Sequence, residues 1–146
     1  EVNGITIIND TTSTTPTAGI KALESFPEKK IILVTGGNSK NLPLEDFLDV
    51  IRKRAKALVY LKGNGTDAVK TALADSDMPF AGPFESMEET VSAALGFADS
   101  GDTIVFSPSF TSYGQFRNEF ERGEVFTHAA HKATATHRKK EDTRSR

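Results

Sequence analysis

The 146-residue chain contains no cysteine. That excludes disulfides and every mechanism needing a thiolate, and it suits a reducing cytoplasm, the expected location. No apolar run approaches the ~20 residues of a membrane span, and no signal-peptide pattern opens the chain. Neither sign of charge dominates. The 18 Lys and Arg against 20 Asp and Glu leave a net of −2, so no strong field draws the chain to nucleic acid or to a membrane surface. Neither kind of partner is expected. What is present is a normal balance, 37% hydrophobic and 26% charged, sufficient for one core and one domain. The chain opens on Glu1 rather than Met and enters a strand-like run almost at once, so the expectation is a piece of something longer.

Charge is uneven in one place. Residues 133–146 (ATATHRKKEDTRSR) hold five basic and two acidic groups, a net of +3 against −5 for the remainder. They lack Val, Ile, Leu and aromatics and have little to bury against their ordering entropy, so a flexible basic tail is expected there, with the domain proper at 1–132. The three histidines, His128, His131 and His137, cluster near this end. His128 and His131 share a helix face, but no carboxylate or thiolate completes a ligand set, so no metal site is expected.

Upstream, short β-rich runs alternate with runs of helical period. Strands are expected at 5–8, 31–35, 57–61, 79–82 and 103–107. Helices are expected from Pro16 to about Phe26 with Thr15 as N-cap, at 43–54, at 67–75, from a capping box at Ser86–Glu89 to about Ala98, and from Ser112 to about Lys132. The 31–35 run, IILVT, is apolar throughout, as a strand covered on both faces must be. Such alternation specifies an α/β domain, Rossmann-like, with a mostly parallel sheet and helices on both faces.

In such sheets ligands bind outside the carboxyl ends of the strands. Three polar, small-residue loops leave those ends: 9–15 (NDTTSTT), 35–41 (TGGNSKN) and 107–113 (SPSFTSY). Each taken alone also reads as turn and capping chemistry; their coincidence points to a shared site. Lys40, in a glycine-rich loop, is suited to hold a carboxylate or phosphate as a point charge. Common alternatives are missing. Gly63-Asn64-Gly65 lacks the third glycine of the dinucleotide fingerprint, Gly36-Gly37-Asn38-Ser39-Lys40 lacks Walker A spacing, and nothing marks a nucleophile elbow. No residue is expected to be catalytic in this stretch alone.

Together the loops resemble the C-terminal domain of the Mur ligases, in particular their D-glutamate-adding branch. That branch shows N-D-S-K-A-T, where this chain has Asn9-Asp10-Thr11-Thr12-Ser13-Thr14, and L-L-G-G-x-x-K, where it has Leu33-Val34-Thr35-Gly36-Gly37-Asn38-Ser39-Lys40. A long closing motif, S-P-A-x-A-S-x-D-x-F-K-N-F-x-x-R-G-x-x-F, is matched from Ser107-Pro108 through Ser112-Tyr113 and Arg122-Gly123 to Phe126. The N-P-R loop of the diaminopimelate or lysine adders is absent.

The resemblance implies an ATP-dependent, ADP-forming C–N ligase of peptidoglycan synthesis, which joins D-glutamate to UDP-MurNAc-L-alanine through an acyl phosphate. It places the P-loop, the Mg2+ ligands and the UDP-sugar site in other domains, so ATP, Mg2+ and the acceptor are met mainly outside this chain. On its own the chain should be inactive, and it is expected to be monomeric. Thr14, Lys40, Ser112 and Tyr113 correspond to D-glutamate-binding positions, and Asp10 and Thr12 to the nucleotide side. Three departures stand out: Thr12 replaces a lysine, Gly114 an aspartate, and Glu119-Phe120 inverts the usual Phe-x order. A freestanding carboxylate-binding module and a related ligase for another amino acid are the alternative expectations.

Overall fold

The computed structural model describes residues 1–145, apart from the side chain of Glu141; Arg146, the last residue of the expected tail, lies outside the described residues. Strands and helices alternate along the chain as β1 (Thr6–Asn9), α1 (Pro16–Glu24), β2 (Ile31–Thr35), α2 (Glu45–Arg54), β3 (Ala55–Leu61), α3 (Asn64–Ala72), β4 (Phe80–Phe84), α4 (Met87–Phe97), β5 (Thr103–Phe106) and α5 (Glu119–Arg144). The five strands form one sheet in the order β1-β5-β2-β3-β4, and every pairing is parallel.

That order decides where the helices go, because a crossover between parallel strands is right-handed. The chain steps in one direction from β1 through β2 and β3 to β4, so α1, α2 and α3 share a face. It then turns back to β5, and α4 and α5 cover the other. Alternate residues along the strands supply the two cores. Leu33, Leu58, Tyr60 and Val105 pack with Leu23, Phe47, Ile51, Val69 and Leu73 of the first three helices. Ile32, Val34, Val59, Ile104 and Phe106 pack with Val91, Ala94, Phe126 and Ala129 of the last two. The Phe126 ring stacks on Phe106 at a centroid distance of 4.1 Å and fixes α5 to the sheet. β1 is an edge strand and only half-buried. It is entered through a two-residue turn at Asn3 and Gly4, both with positive φ (51° and 76°), closed by reciprocal Val2–Ile5 hydrogen bonds.

The α/β, Rossmann-like parallel sheet is as the sequence predicts, and the caps at Thr15 and Ser86 form. Many boundaries shift by one to three residues, and three differences bear on the rim or the tail. Helix α3 starts at Asn64, not Asp67, so Gly65 lies in its first turn rather than in a loop; a Cβ there would lie 2.5 Å from the Phe110 ring. Helix α5 starts at Glu119, not Ser112. The Ser112 carbonyl accepts from the Gln115 and Phe116 N–H groups, so a turn forms there, but Gly114, at φ +87°, takes it out of helical geometry. The effective cap is Asn118, whose Oδ1 accepts from the Glu121 N–H at 2.9 Å, while the Glu121 carboxylate accepts from the Arg117 N–H at 2.9 Å. This is a displaced form of the capping box, in which the Glu121 carboxylate reaches the N–H of the residue before the cap rather than that of the cap itself. At its other end α5 passes Lys132 and continues through Arg144, so residues 133–144, expected as a flexible tail, are helical. No glycine or proline interrupts them, and Ala, Lys and Arg are strong helix formers; propensity, rather than burial, carries the helix onward.

At the amino ends of the strands, Lys56 of β3 donates to the buried Asp102 carboxylate and, at 2.9 Å, to Asp99. These two hydrogen bonds hold the Lys56 ammonium above its ordinary 10.5. Folding therefore favours charged Lys56. Its contribution is complete below about pH 10 and is lost as the pH rises through the raised value. Urea titrations should show the stability gap between the wild type and Lys56→Met narrowing as the pH climbs past 10.5. Truncating the stacked ring, Phe126→Ala, should cost about 3–5 kcal/mol, read as a lower urea midpoint with unchanged slope.

Candidate functional site

All five strands point their carboxyl ends at one rim. β5 lies between β1 and β2, yet its helix leaves on the opposite face from theirs. The chain thus parts on both sides of β5, the topological feature that opens a crevice in such sheets. The loop after β5, residues 107–118, sits in the middle of the rim and holds the other two loops.

On one side it grips the loop after β1. Ser107 Oγ donates to Asp10 Oδ2 at 3.0 Å, and the Ser109 N–H donates to the Ser13 carbonyl at 2.9 Å. Arg122 of α5, 1% exposed, bridges the two loops. Its Nη2 donates to the Thr11 carbonyl at 2.7 Å and its Nη1 to the Phe110 carbonyl at 2.9 Å. Burial pulls the Arg122 guanidinium down to about 10, which leaves it charged at neutral pH. Gly123 gives α5 room to lie against this loop, since a Cβ there would be 2.5 Å from Thr11 Cγ2.

On the other side it grips the loop after β2. Asn38 and Thr111 exchange backbone hydrogen bonds at 3.2 and 3.0 Å, and Asn38 Nδ2 donates to the Tyr113 carbonyl at 2.5 Å. Thr35 Oγ1 donates to the Pro108 carbonyl at 2.8 Å. Gly37 makes this approach possible, with φ at +147° and a would-be Cβ 2.6 Å from the Thr111 carbonyl oxygen. The same loop is stitched to the start of α3, where the Gly65 N–H donates to the Gly37 carbonyl and the Ser39 N–H to Asn64 Oδ1. A cleft of about 740 Å³ opens beside it, walled by Asn38, Lys62, Asn64, Glu85 and Gln115 among others.

The structure places all six site residues expected from sequence on these laced loops. Asp10 and Thr14 are half-buried, Thr12 and Lys40 are exposed, Ser112 is buried and Tyr113 is 82% exposed. Only Asp10 is tied by its side chain. Lys40 makes no hydrogen bond or ion pair among the described residues, and Thr14, Lys40 and Ser112 do not bond one another. The arrangement is a rim of free hydroxyls and one free cation on a braced backbone, suited to an anionic group carrying hydrogen-bond acceptors. Among the described residues no group of three or more His, Cys, Asp and Glu could hold a metal ion. Sequence reasoning passed over Arg122, Asn38, Ser107 and Asn64 as functional positions. Arg122 and Ser107 stand inside the closing motif. Asn38 and Asn64 carry no signal beyond turn propensity, because their roles depend on which loops the topology makes neighbours.

The family description "Mur ligase, glutamate ligase domain" matches residues 1–110. A UDP-N-acetylmuramoylalanine–D-glutamate ligase of Roseiflexus sp. (strain RS-1) is 41% identical over 128 residues, 86% of this chain and 27% of that protein. Proteins of the same name from Treponema pallidum (strain Nichols) and Aquifex aeolicus (strain VF5) are 38% and 32% identical, over 86% and 85% of this chain and 23% and 29% of their own lengths. The chain spans about a quarter of the relatives it matches, and it belongs to the Mur ligase family.

Substituting Gly37→Ala should separate the β2 and β5 loops. The strained φ and the clash with Thr111 predict a loss of about 2 kcal/mol or more, measured by thermal unfolding, with larger amide shifts at Asn38 and Thr111 than in the strands.

Proposed function

We propose, with membership of the Mur ligase family as the premise, that this chain is the D-glutamate-binding domain of a longer, ATP-dependent, ADP-forming ligase acting in the cytoplasm. The enzyme would join the amine of D-glutamate to the carboxylate of UDP-MurNAc-L-alanine. The acceptor carboxylate gains a phosphoryl group; the amine nitrogen then displaces phosphate, loses a proton and forms the amide. ATP with Mg2+ supplies that activation, and this chain offers no metal-ligand cluster among its described residues. Following the family resemblance, phosphoryl transfer is assigned to the remainder of the longer protein, and this domain to binding and orienting the amino acid.

The observation that carries the reading is the exposed, unpartnered Lys40 on a loop locked to the hydroxyl-bearing β5 loop. D-glutamate brings two carboxylates, and one of them must be held while its amine is aimed. Lys40 supplies the charge, and Thr14 and Ser112 supply hydroxyl donors. A carboxylate withdrawn from water without such partners costs several kcal/mol. Tyr113 offers an exposed ring beside Ser112 to flank the aliphatic carbons. Asp10 and Thr12, on the far side of the rim, face the nucleotide in this reading. The relatives named D-glutamate ligases support the choice of amino acid.

In the full-length enzyme, Lys40→Ala should raise the KM for D-glutamate roughly 10- to 100-fold, the equivalent of one charge-assisted hydrogen bond. The KM for ATP should stay within about twofold, because uniform loss of one substrate's binding leaves the other unaffected. Steady-state kinetics with each substrate varied in turn measures both. Equal changes, or none, would remove Lys40 from the glutamate site.

A further inference from the structure

The largest fully buried side chain in the domain is a charged one, Arg122. Three of its N–H groups are spoken for, and each goes to a neutral oxygen: Nη2 to the Thr11 carbonyl, Nε to Thr11 Oγ1 at 3.2 Å, and Nη1 to the Phe110 carbonyl. No carboxylate lies within ion-pair distance of it among the described residues; the nearest influence of that sign is the field of Glu119. Thr11 is bound from a second direction as well, its hydroxyl donating to the Glu119 carbonyl at 2.6 Å.

Stability alone does not account for this arrangement. Burying an unneutralised guanidinium costs several kcal/mol, and three bonds to neutral oxygens return only part of it. Apolar residues of similar volume often serve a core as well or better. What an apolar residue cannot do is hold two separate loop backbones at once. Arg122 does so from beneath, at Thr11 and at Phe110, each within three residues of expected contact positions (Asp10, Thr12 and Thr14; Ser112 and Tyr113). Apart from the field of Glu119, its charge has no counter-ion among the described residues. Thr12 contributes no charge where the family resemblance leads one to expect a lysine.

We propose that Arg122 is a positioning residue for the anionic substrate. It clamps the β1 loop to the β5 loop and sets a full positive charge under both. The substrate half of this statement rests on the D-glutamate reading above; the clamp itself does not.

The test uses the longer protein that contains this chain, with amide hydrogen exchange resolved to the two loops and titration with D-glutamate in the presence of ATP and the acceptor. Arg122→Met keeps the volume without charge or donors, and Arg122→Lys keeps the charge without the fork. In both, the Ser13 and Ser109 amides, which hydrogen-bond within and between the two loops, should exchange at least about tenfold faster, the effect of losing one charge-assisted bond. The β2 and β3 amides should keep their rates. Affinity for D-glutamate should fall about tenfold or more in Arg122→Met and less in Arg122→Lys. Unchanged loop exchange overturns the clamp, and so does an equal acceleration through every strand, which marks a merely structural residue. Should Arg122→Met fail to fold, Thr11→Val answers instead. It removes one acceptor at constant shape and must speed the same two amides several-fold; no change overturns the proposal. A wild-type full-length protein that ignores D-glutamate with ATP and acceptor present, while its loop amides respond as stated, would sink the glutamate reading and leave the clamp standing.

Discussion

The handedness of the strand crossovers is the constraint on which the rest depends. Parallel strands must be joined by right-handed connections, and an order of β1-β5-β2-β3-β4 satisfies that only with α1, α2 and α3 on one face and α4 on the other; α5, which leads to no further strand, joins α4 through Phe126 and Ala129. β5 is consequently the strand whose neighbours send their chains the opposite way. A loop leaving it has no helix of its own directly overhead on the α1 and α2 face, and it becomes the natural centre of the rim. Two further loops flank it because their strands are hydrogen-bonded to β5, and for no other reason.

Placing three polar loops side by side creates a second problem, since each carries backbone groups that the sheet does not satisfy. Cross-linking answers it: Asn38 with Thr111, Ser109 with Ser13, Ser107 with Asp10, and Arg122 with both Thr11 and Phe110. Apart from Asp10, these bonds spend groups other than the expected contact side chains and leave Thr12, Thr14, Lys40 and Ser112 without side-chain partners among the described residues. Ser13 Oγ is the one side-chain polar atom buried with no partner among the described residues, and it lies in the same first loop. Rigidity at the back and unspent hydrogen-bonding capacity at the front are what a site for a small anion needs, because a pre-formed pocket does not spend binding energy on ordering itself.

The layers and the parallel sheet were legible in so far as they follow from periodicity, whereas the strand order β1-β5-β2-β3-β4 was not. The apolar run at Ile31–Thr35 could only be a covered strand, and Thr15 and Ser86 could only be caps once the helical spacing after them was seen. The start of α5 was misplaced because two capping patterns, at Ser112 and at Asn118, compete within seven residues. A glycine held at positive φ, which sequence does not reveal, decides for the second. The helical character of residues 133–144 was missed for a different reason. An argument from burial finds nothing there to order, whereas a helix already nucleated and anchored by Phe126 and Ala129 can be extended by propensity alone, since the costly first turn is behind it.

The candidate site divides along the same line. Lys40 could be nominated from its own chemistry, a charge in a glycine-rich loop, whereas Thr14 and Ser112 were named only through the resemblance of their loops to the family motifs. Arg122 could not, for a buried arginine means nothing until the loops it holds are known to be adjacent. Asn38 shows the limit most clearly. Its side chain joins the β2 loop to both the β5 loop and the start of α3, accepting from the Asn64 N–H while donating to the Tyr113 carbonyl, so its function is wholly a product of topology. In the reading proposed above this rim is the surface that holds the amino acid, and its open side is where Lys40 and Tyr113 face solvent. On that proposal the domain would form one half of a two-sided site, braced from behind by its cross-linked loops, and the rest of the longer protein would supply the half that reacts.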